Sequence, residues 1–335
     1  MKTRLPLIAM GVLAAFPANA GPQDGVVAAG NAEIRHDGPG KLTVNQTSDR
    51  AVIDWRSFSI GAGEQAHFQQ PSATSITLNR VTGGEVSEIM GRLSATGRLW
   101  LVNPNGIVFG RNAQVDVAGL LATTADIRND DFMAGRFRFE GRADSSAMVV
   151  NEGNITVRDA GLAALVAPGV ANDGTITARL GEVHLASGSK YVVDFYGDQR
   201  INVAVDAPVT KAPRKADESP AEAAVSNKGR VVADGGRVRM TAATAKGVID
   251  RAVNMSGVVQ ARSVETRNGE IILSGGDNGT VQVSGTLDAS GRDHAGAKGG
   301  TVAVTGERVA LTSTARIDAS GRGGGGGVLI GGDAM

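Results

Sequence analysis

After residue 150, this 335-residue chain repeats itself in units of 20 to 33 residues. Residues 151–157 (Asn-Glu-Gly-Asn-Ile-Thr-Val) return 21 positions later at 172–178, as Asn-Asp-Gly-Thr-Ile-Thr-Ala. Gly229, Gly257 and Gly285 follow at intervals of 28 residues, and each opens a short β-branched run. A recurring unit made only of short strands and Gly or Asn turns is typical of a solenoid, in which each repeat stacks on the one before it.

Short strands of this kind favour a parallel β-helix. Equivalent apolar residues then stack into ladders along the interior, and small residues at the corners let coils lie about 4.8 Å apart. Leucine-rich, ankyrin and tetratricopeptide repeats would show helical periodicity, and an antiparallel sandwich gives no reason for a recurring register. Further matching runs are 163–167 with 182–186, 285–291 with 315–321, and 236–240 with 269–273, 300–304 and 326–330.

From Gly25 to residue 150 the chain also consists of short strand patterns between Gly, Asn, Asp and Ser residues, with one interruption. From Glu85 to Leu93, the apolar residues Val86, Ile89, Met90 and Leu93 lie at helical spacing, and this pattern predicts a helix. The rest of this part reads as strands and turns.

Residues 1–20 have the pattern of a signal peptide. A basic start precedes an apolar run from Leu5 to Phe16, and Ala18 and Ala20 form the small-x-small end that signal peptidase requires. The alternative is a transmembrane anchor, but the run is too short to span a bilayer as a helix. We therefore expect export by the Sec translocon and cleavage by signal peptidase.

A composition change divides the remaining chain. Residues 206–226 contain three prolines and many charged residues, and this composition predicts an exposed loop or linker. It separates a domain at 21–205 from further β-helix repeats at 227–335. Because the last repeat stops within a coil, we interpret 227–335 as the truncated start of a longer shaft.

Composition excludes several classes of function. The chain has 34 basic and 34 acidic residues, so its zero formal charge argues against binding to a nucleic-acid backbone. It has no cysteine, which excludes disulfides, thiolate catalysis and cysteine metal sites. No metal or cofactor pattern is evident.

One turn between two apolar runs has unusually complete turn chemistry. It consists of Asn103, Pro104, Asn105 and Gly106. Pro104 presets its own φ, Asn105 tolerates a left-handed backbone and Gly106 avoids a Cβ clash. By itself the pattern predicts a tight turn between two strands.

In this context the sequence resembles the amino-terminal secretion domain of two-partner secretion exoproteins, of the filamentous haemagglutinin and high-molecular-weight adhesin type. The resemblance is dense from residue 28 to residue 178. It is carried by a series of motifs in order, namely Ile53–Gly61, Phe68–Ser72, Leu78–Gly83, Gly91–Gly97, Val102–Gly110 and Gly119–Thr124. A second Asn-Pro-Asn-Leu motif of some members is absent, which leaves the subclass open.

The resemblance implies a right-handed parallel β-helix with an N-terminal cap. It implies recognition in the periplasm by an outer-membrane transporter with periplasmic polypeptide-binding domains, and release from a Gram-negative cell to its surface or medium. By position, Asn103, Pro104, Asn105 and Gly106 are the signature turn of the family. Two roles stay open for Asn103 and Asn105: contact with the transporter, or stabilisation of the turn and the neighbouring coils.

Two other classes remain as alternatives. A β-helical polysaccharide enzyme would cluster carboxylates on one face, but Asp288 and Asp318 each lie in a plain Asp-Ala-Ser-Gly turn. The four histidines lie far apart in the sequence, and we expect no enzyme activity. A carbohydrate-binding module would need exposed aromatic platforms, whereas buried packing is expected for Trp55, Trp100, Phe132, Phe137, Phe139, Tyr191 and Tyr196. Contacts with host glycans or receptors would be made by sequence beyond this chain.

Overall fold

The chain winds through short strands along almost its whole length. The computed structural model describes residues 21–331, except 143, 196–200, 216, 266 and 292–295. In chain order the strands are β1 Val26–Ala29, β2 Ala32–His36, β3 Lys41–Gln46, β4 Arg50–Trp55, β5 Gln65–Gln69, β6 Ile76–Val81, β7 Ser87–Ile89, β8 Arg92–Ala95, β9 Arg98–Val102, β10 Ile107–Phe109, β11 Gln114–Val117, β12 Gly119–Thr123, β13 Arg138–Glu140, β14 Met148–Asn151, β15 Asn154–Val157, β16 Leu162–Ala167 and β17 Gly169–Asn172. They continue as β18 Thr175–Ala178, β19 Glu182–Ser187, β20 Lys190–Phe195, β21 Ile201–Ala207, β22 Val225–Asn227, β23 Arg230–Val232, β24 Arg237–Ala242, β25 Arg251–Met255, β26 Val258–Gln260, β27 Glu270–Ser274, β28 Thr280–Val283, β29 Thr286–Asp288, β30 Thr301–Thr305, β31 Arg308–Leu311, β32 Arg316–Asp318 and β33 Gly327–Ile330. The described helices are α1 Asn129–Met133 and a 3₁₀ turn at Gly276–Asn278.

Most strands belong to three long sheets that each complete coil visits in turn. Sheet I contains β1-β4-β6-β9-β12-β16-β19-β24-β27-β30-β33, in that spatial order. Sheet II contains β2-β3-β5-β8-β11-β15-β18-β23-β26-β29-β32, and sheet III contains β7-β10-β14-β17-β22-β25-β28-β31. A strand in each sheet pairs in parallel with its equivalent one coil later, for example β12 with β16. The predicted parallel β-helix is confirmed.

The sequence repeats coincide with the register of the coils. Asn151 lies opposite Asn172 and Ile155 lies opposite Ile176, as the 21-residue repeat predicts. One repeat is shifted by a residue from the predicted match, because Ala163 pairs with Val183 and not with Glu182.

Inward-facing apolar residues stack into ladders that form the core. In sheet I, Leu101, Ala122, Leu165 and Leu185 are in register and fully buried. Burial of a Leu or Val side chain contributes about 1.5–3 kcal/mol, so the ladders stabilise each coil against the previous one.

Antiparallel strands cover the N-terminal end of the solenoid. β1 pairs with β4 at the end of sheet I, and β2 pairs with β3 at the end of sheet II. Both pairings differ from the parallel order elsewhere in these sheets. They cover the first coil, so that sheets I and II end in short antiparallel strands of four and five residues, and a short edge strand offers little surface for association.

A second hydrophobic cluster lies outside the coils, on the outer face of sheet I. It is formed by two inserts between sheet I and sheet III: residues 124–147, with α1 and β13, and residues 188–224, with β20 and β21. β13, β20 and β21 form a small antiparallel sheet. The aromatic residues Trp55, Trp100, Phe132, Phe137, Phe139 and Tyr191 are buried, as expected, whereas Tyr196 lies outside the described residues.

The predicted helix at Glu85–Leu93 is wrong. The segment contains β7 and the beginning of β8, which belong to different sheets. The apparent helical period arises because a corner at Gly91 lies between two strands whose inward residues are Ile89 and Leu93. A Cβ at Gly91 would lie 2.3 Å from the Glu64 carbonyl oxygen, so this corner stacks closely on the previous coil.

The segment 206–226 differs in part from the predicted loop. Its first residues belong to β21 and its last residues to β22, and both Val225 at the start of β22 and Ala224 before it are fully buried. Between them, many of the described side chains are exposed, and the backbone bridges Arg214 to Pro220. The apolar end of the segment has already re-entered the solenoid.

Candidate functional site

The Asn-Pro-Asn-Gly turn forms the corner between β9 of sheet I and β10 of sheet III. The backbone N–H of Gly106 donates to the Asn103 carbonyl at 3.1 Å and closes the turn. Gly106 has φ +119°, and a Cβ there would lie 3.1 Å from the Met148 carbonyl oxygen in the next coil. Both the backbone conformation and the close approach therefore require glycine.

The Asn103 side chain is fully buried and uses its whole hydrogen-bonding capacity. Its Nδ2 donates to the Glu85 carbonyl and to Ser87 Oγ, both at 2.9 Å. Its Oδ1 accepts from the backbone N–H of Asn105 at 2.9 Å and from Asn105 Nδ2 at 3.0 Å. The side chain thus orders its own turn and ties it to the preceding coil.

Asn105 is half-buried and makes a second connection to that coil. Its Nδ2 donates to the Gly83 carbonyl at 2.9 Å as well as to Asn103 Oδ1. Pro104 is half-buried beside it and presets the turn backbone. The structure brings the four predicted residues together, and the contacts of the two asparagines are internal. Direct recognition by a transporter remains a prediction.

A groove of about 270 Å³ borders the turn on the outer face of sheet III. Asn105 and Val108 line one part of it, and Arg142 and Arg214 from the two inserts line another. Arg142 is 37 positions from Asn105 in the sequence and Arg214 is 109 positions from it, so no local pattern could have predicted the groove.

Sheet III also contains a buried ladder of asparagines, which the sequence motifs above do not predict. Asn151 Nδ2 donates to Asn172 Oδ1 at 2.7 Å, and Asn172 Nδ2 donates to Asn227 Oδ1 at 2.7 Å. All three residues are fully buried. The recurring Asn-x-Gly pattern of the repeats is the signal that could have revealed it, because Asn151 also accepts from the Gly153 N–H at 3.2 Å.

Asp288 and Asp318, the carboxylates that an enzyme site would use, take part in the hydrogen bonding and register of the turns. Asp288 Oδ1 accepts from the backbone N–H and the hydroxyl of Ser290, at 3.0 and 2.7 Å. Partial burial opposes ionisation, but the hydrogen bonds from Ser290 and Arg262 keep the pKa of Asp288 below its ordinary value. Asp318 lies in register above Asp288. Over the described ranges, no three His, Asp or Glu side chains form a group that could hold a metal ion.

Helices play little part in the described structure. Within residues 21–331, apart from the undescribed positions, none is long and apolar enough to cross a membrane. The predicted cleavage residues Ala18 and Ala20 lie outside the described residues.

A capped parallel β-helix with an Asn-Pro-Asn-Gly corner defines the class of secretion domains that precede large exported proteins. The chain belongs to the TPS secretion domain family, whose sequence profile matches residues 18–289. It resembles the crystal structure of the HMW1 secretion domain from Haemophilus influenzae, with a TM-score of 0.78 and 32% identity over 94% of this chain and 78% of that one. The filamentous hemagglutinin secretion domain shares the fold, with a TM-score of 0.51 and 16% identity over 92% of this chain and 100% of that one.

Curated relatives are much longer than this chain. Two proteins named heme/hemopexin-binding protein from Haemophilus influenzae, one of them from strain Rd, are 31% and 29% identical over 278 and 300 residues. Each alignment covers 81% of this chain, but only 28% and 30% of the relative. The chain therefore spans less than a third of the length of these relatives.

Proposed function

We propose that this chain is the N-terminal export module of a larger exoprotein and is recognised by an outer-membrane transporter with periplasmic polypeptide-binding domains. The observation that carries the proposal is its similarity to the HMW1 secretion domain over 94% of the chain. On this proposal the chain does not act as an enzyme. Its role is to deliver the polypeptide that follows it.

On the proposed route, the chain crosses two membranes in turn. The Sec translocon carries the chain into the periplasm of a Gram-negative cell, and signal peptidase removes residues 1–20 after Ala20. The transporter then passes the chain outward, unfolded, to the cell surface or the medium. Support comes from the basic, apolar and small-residue order of the first 20 residues and from the family.

Folding outside the cell would favour outward movement of the chain over its return. Each strand of the solenoid pairs with a strand of the previous coil, so folding can propagate coil by coil as the chain emerges. The signature turn contributes to this because its bonds join residues only 16 to 22 positions apart. Asn103 and Asn105 can therefore fix the register between two coils as soon as both have emerged.

The cargo is proposed to be adhesin-like or haemagglutinin-like. The names of the two curated relatives favour haem or hemopexin capture as a second candidate. Either activity would lie in sequence beyond the secretion domain. A cell-binding assay and a haem–hemopexin binding assay on the longer protein would separate the two candidates.

A secretion assay tests the export function. Residues 1–335 would be expressed with and without a candidate transporter, and the protein in the medium would be measured. We expect release only with the transporter. Protein that stays in the periplasm with every transporter of the class, although folded and protease-resistant, would contradict the proposal.

A pair of variants separates the two roles of the turn. Asn103→Ala removes a buried amide that joins two coils, and Asn172→Ala does the same in the asparagine ladder, away from the turn. If the turn acts through folding, the two variants lose secretion in proportion to their loss of stability. A much larger loss for Asn103→Ala at equal stability would show that the transporter contacts the turn.

A further inference from the structure

The N-terminal cap holds a carboxylate beside the point at which the mature chain is proposed to begin. Glu64 is half-buried, and a Cβ built on Gly21 would lie 4.0 Å from its Oε2. Gly21 is the residue that follows the predicted cleavage position at Ala20. The two residues line the same groove, of about 520 Å³, with His36 and Lys41.

Glu64 is fixed in position by its own turn. Its Oε2 accepts from the backbone N–H of Gly61 at 2.7 Å, and its backbone N–H donates to the Gly61 carbonyl at 3.0 Å. Its stem packs against Gly40, where a Cβ would lie 2.9 Å from Glu64 Cγ. A fixed side chain loses little conformational entropy when it binds a partner.

Residues 22–24, which follow Gly21, are equally well fixed. The backbone N–H of Gln23 donates to the Ser57 carbonyl at 2.9 Å, and the Arg56 N–H donates to the Gln23 carbonyl at 3.1 Å. Pro22 is buried, and Asp24 pairs with Arg56 at 2.6 Å. Gly21 is thereby held over Glu64, two residues from a backbone bridge.

None of the ion pairs among the described residues involves Glu64, so no described Lys, Arg or His nitrogen lies within ion-pair distance of its carboxylate. Hydrolysis of the Ala20–Gly21 peptide bond consumes one water and leaves a carboxylate on Ala20 and an ammonium group on Gly21. We propose that Glu64 is the binding site for this new ammonium group, so that signal-peptide removal locks the N-terminal cap. The inference rests on the proposed cleavage but not on recognition by a transporter.

The first test measures where the mature chain begins and the pKa of its terminal amine. Full-length protein would be processed in the periplasm and purified, and its intact mass should correspond to a start at Gly21. The α-amino group would be reductively methylated with ¹³C, which preserves its charge, and titrated by NMR. We expect its pKa above the ordinary value of about 7.7–8.0 in the wild type, and lower in Glu64→Gln.

Asp24→Asn is the matched control, because Asp24 is a carboxylate only three residues from Gly21 that already pairs with Arg56. It should leave the pKa of the amine close to the wild-type value. His36 and Lys41 face the same groove and are unchanged in all three proteins. Equal amine pKa values in wild type and Glu64→Gln, or a mature chain that starts elsewhere, would overturn the proposal.

The second test uses stability. Selective acetylation of the α-amino group at mildly acidic pH should lower the Tm of the wild type by about 1–3 °C, as expected for one partly exposed ion pair. The same treatment should leave the Tm of Glu64→Gln unchanged. An equal decrease in both proteins would contradict the ion pair. Because neither test requires a transporter, failure of secretion and failure of this inference are distinguishable.

Discussion

At the scale of single residues, Asn103 and Asn105 differ in how much the fold depends on them. Asn103→Ala leaves the Glu85 carbonyl and Ser87 Oγ without their partner and frees the Asn105 N–H. Loss of partners for buried polar groups predicts a decrease of about 2–3 kcal/mol in the free energy of unfolding. Asn105→Ala, at a half-buried position, should cost about 1 kcal/mol. Urea unfolding followed by Trp fluorescence would measure both, and equal costs would contradict the assigned contacts.

His184 gives stability a pH dependence. Complete burial lowers its pKa, and although the hydrogen bond that His184 donates to the Glu182 carboxylate opposes this, Arg239 and Arg237 lower it further. Below the ordinary His pKa of about 6.5, the unfolded chain therefore binds a proton that the folded chain does not. The stability that the neutral, buried His184 contributes to the folded chain is complete above about pH 6.5 and is lost as the pH falls below that value.

His184→Gln should reduce this loss, because an amide does not titrate and can still donate to Glu182. The measurement is the urea midpoint at about pH 8 and about pH 5. The matched control is His67→Gln, at an exposed histidine bonded to Ser94 Oγ at 2.9 Å. An unchanged pH dependence in His184→Gln would show that other groups cause it.

At the scale of elements, the corner glycines set the spacing between coils. A Cβ at Gly257 would lie 2.1 Å from the Gly229 carbonyl oxygen, and one at Gly285 would lie 2.1 Å from the Gly257 carbonyl oxygen. Gly257→Ala must therefore push two coils apart and should cost about 1–3 kcal/mol. Gly84→Ala is the control, since a Cβ there has no neighbour within 4 Å. Thermal unfolding followed by circular dichroism compares them, and equal midpoints would contradict the close stacking.

These glycines also show why the solenoid could be predicted from the sequence. A position that contacts its own equivalent one coil later is constrained in every repeat, so the period of Gly229, Gly257 and Gly285 is visible in the chain. The turn at Asn103–Gly106 could be predicted for a similar reason, since its chemistry is local. The predicted helix at 85–93 failed because two short strands and a corner reproduced a helical period.

The two inserts could not be predicted because their partners are distant in the sequence. β13 pairs with β20, about fifty residues later, and Trp100 packs against Phe137 with ring centroids 4.7 Å apart. Neither insert repeats, and neither matches a coil. Outward-facing apolar residues of sheet I, such as Trp100 and Leu121, are the sequence signal of a covering layer, since an uncovered outer face would be polar.

At the scale of the whole molecule, the layer formed by the two inserts buries the outer face of sheet I in some coils and not in others. Coils from β6 to β19 are buried on both faces of sheet I, between the interior ladder and the second cluster. In the coils from β24 onward the inward-facing residues continue the interior ladder. On the outer face of sheet I, by contrast, Ile272 is only half-buried. Because a solenoid is stabilised by nearest-neighbour contacts, the C-terminal coils should open independently of the N-terminal ones.

Two cavity-forming variants test this difference by amide hydrogen exchange. Leu273→Ala and Leu101→Ala each remove a fully buried Leu from the same interior ladder of sheet I, at an intrinsic cost of about 2–5 kcal/mol. We expect Leu273→Ala to accelerate exchange in β24 to β33 while β6 to β19 keep their protection. Leu101→Ala should instead lower protection across the covered coils, since those coils share both clusters. Uniform acceleration along the chain in Leu273→Ala would show a single cooperative unit, and folding during export would then have to wait until the last coil had emerged.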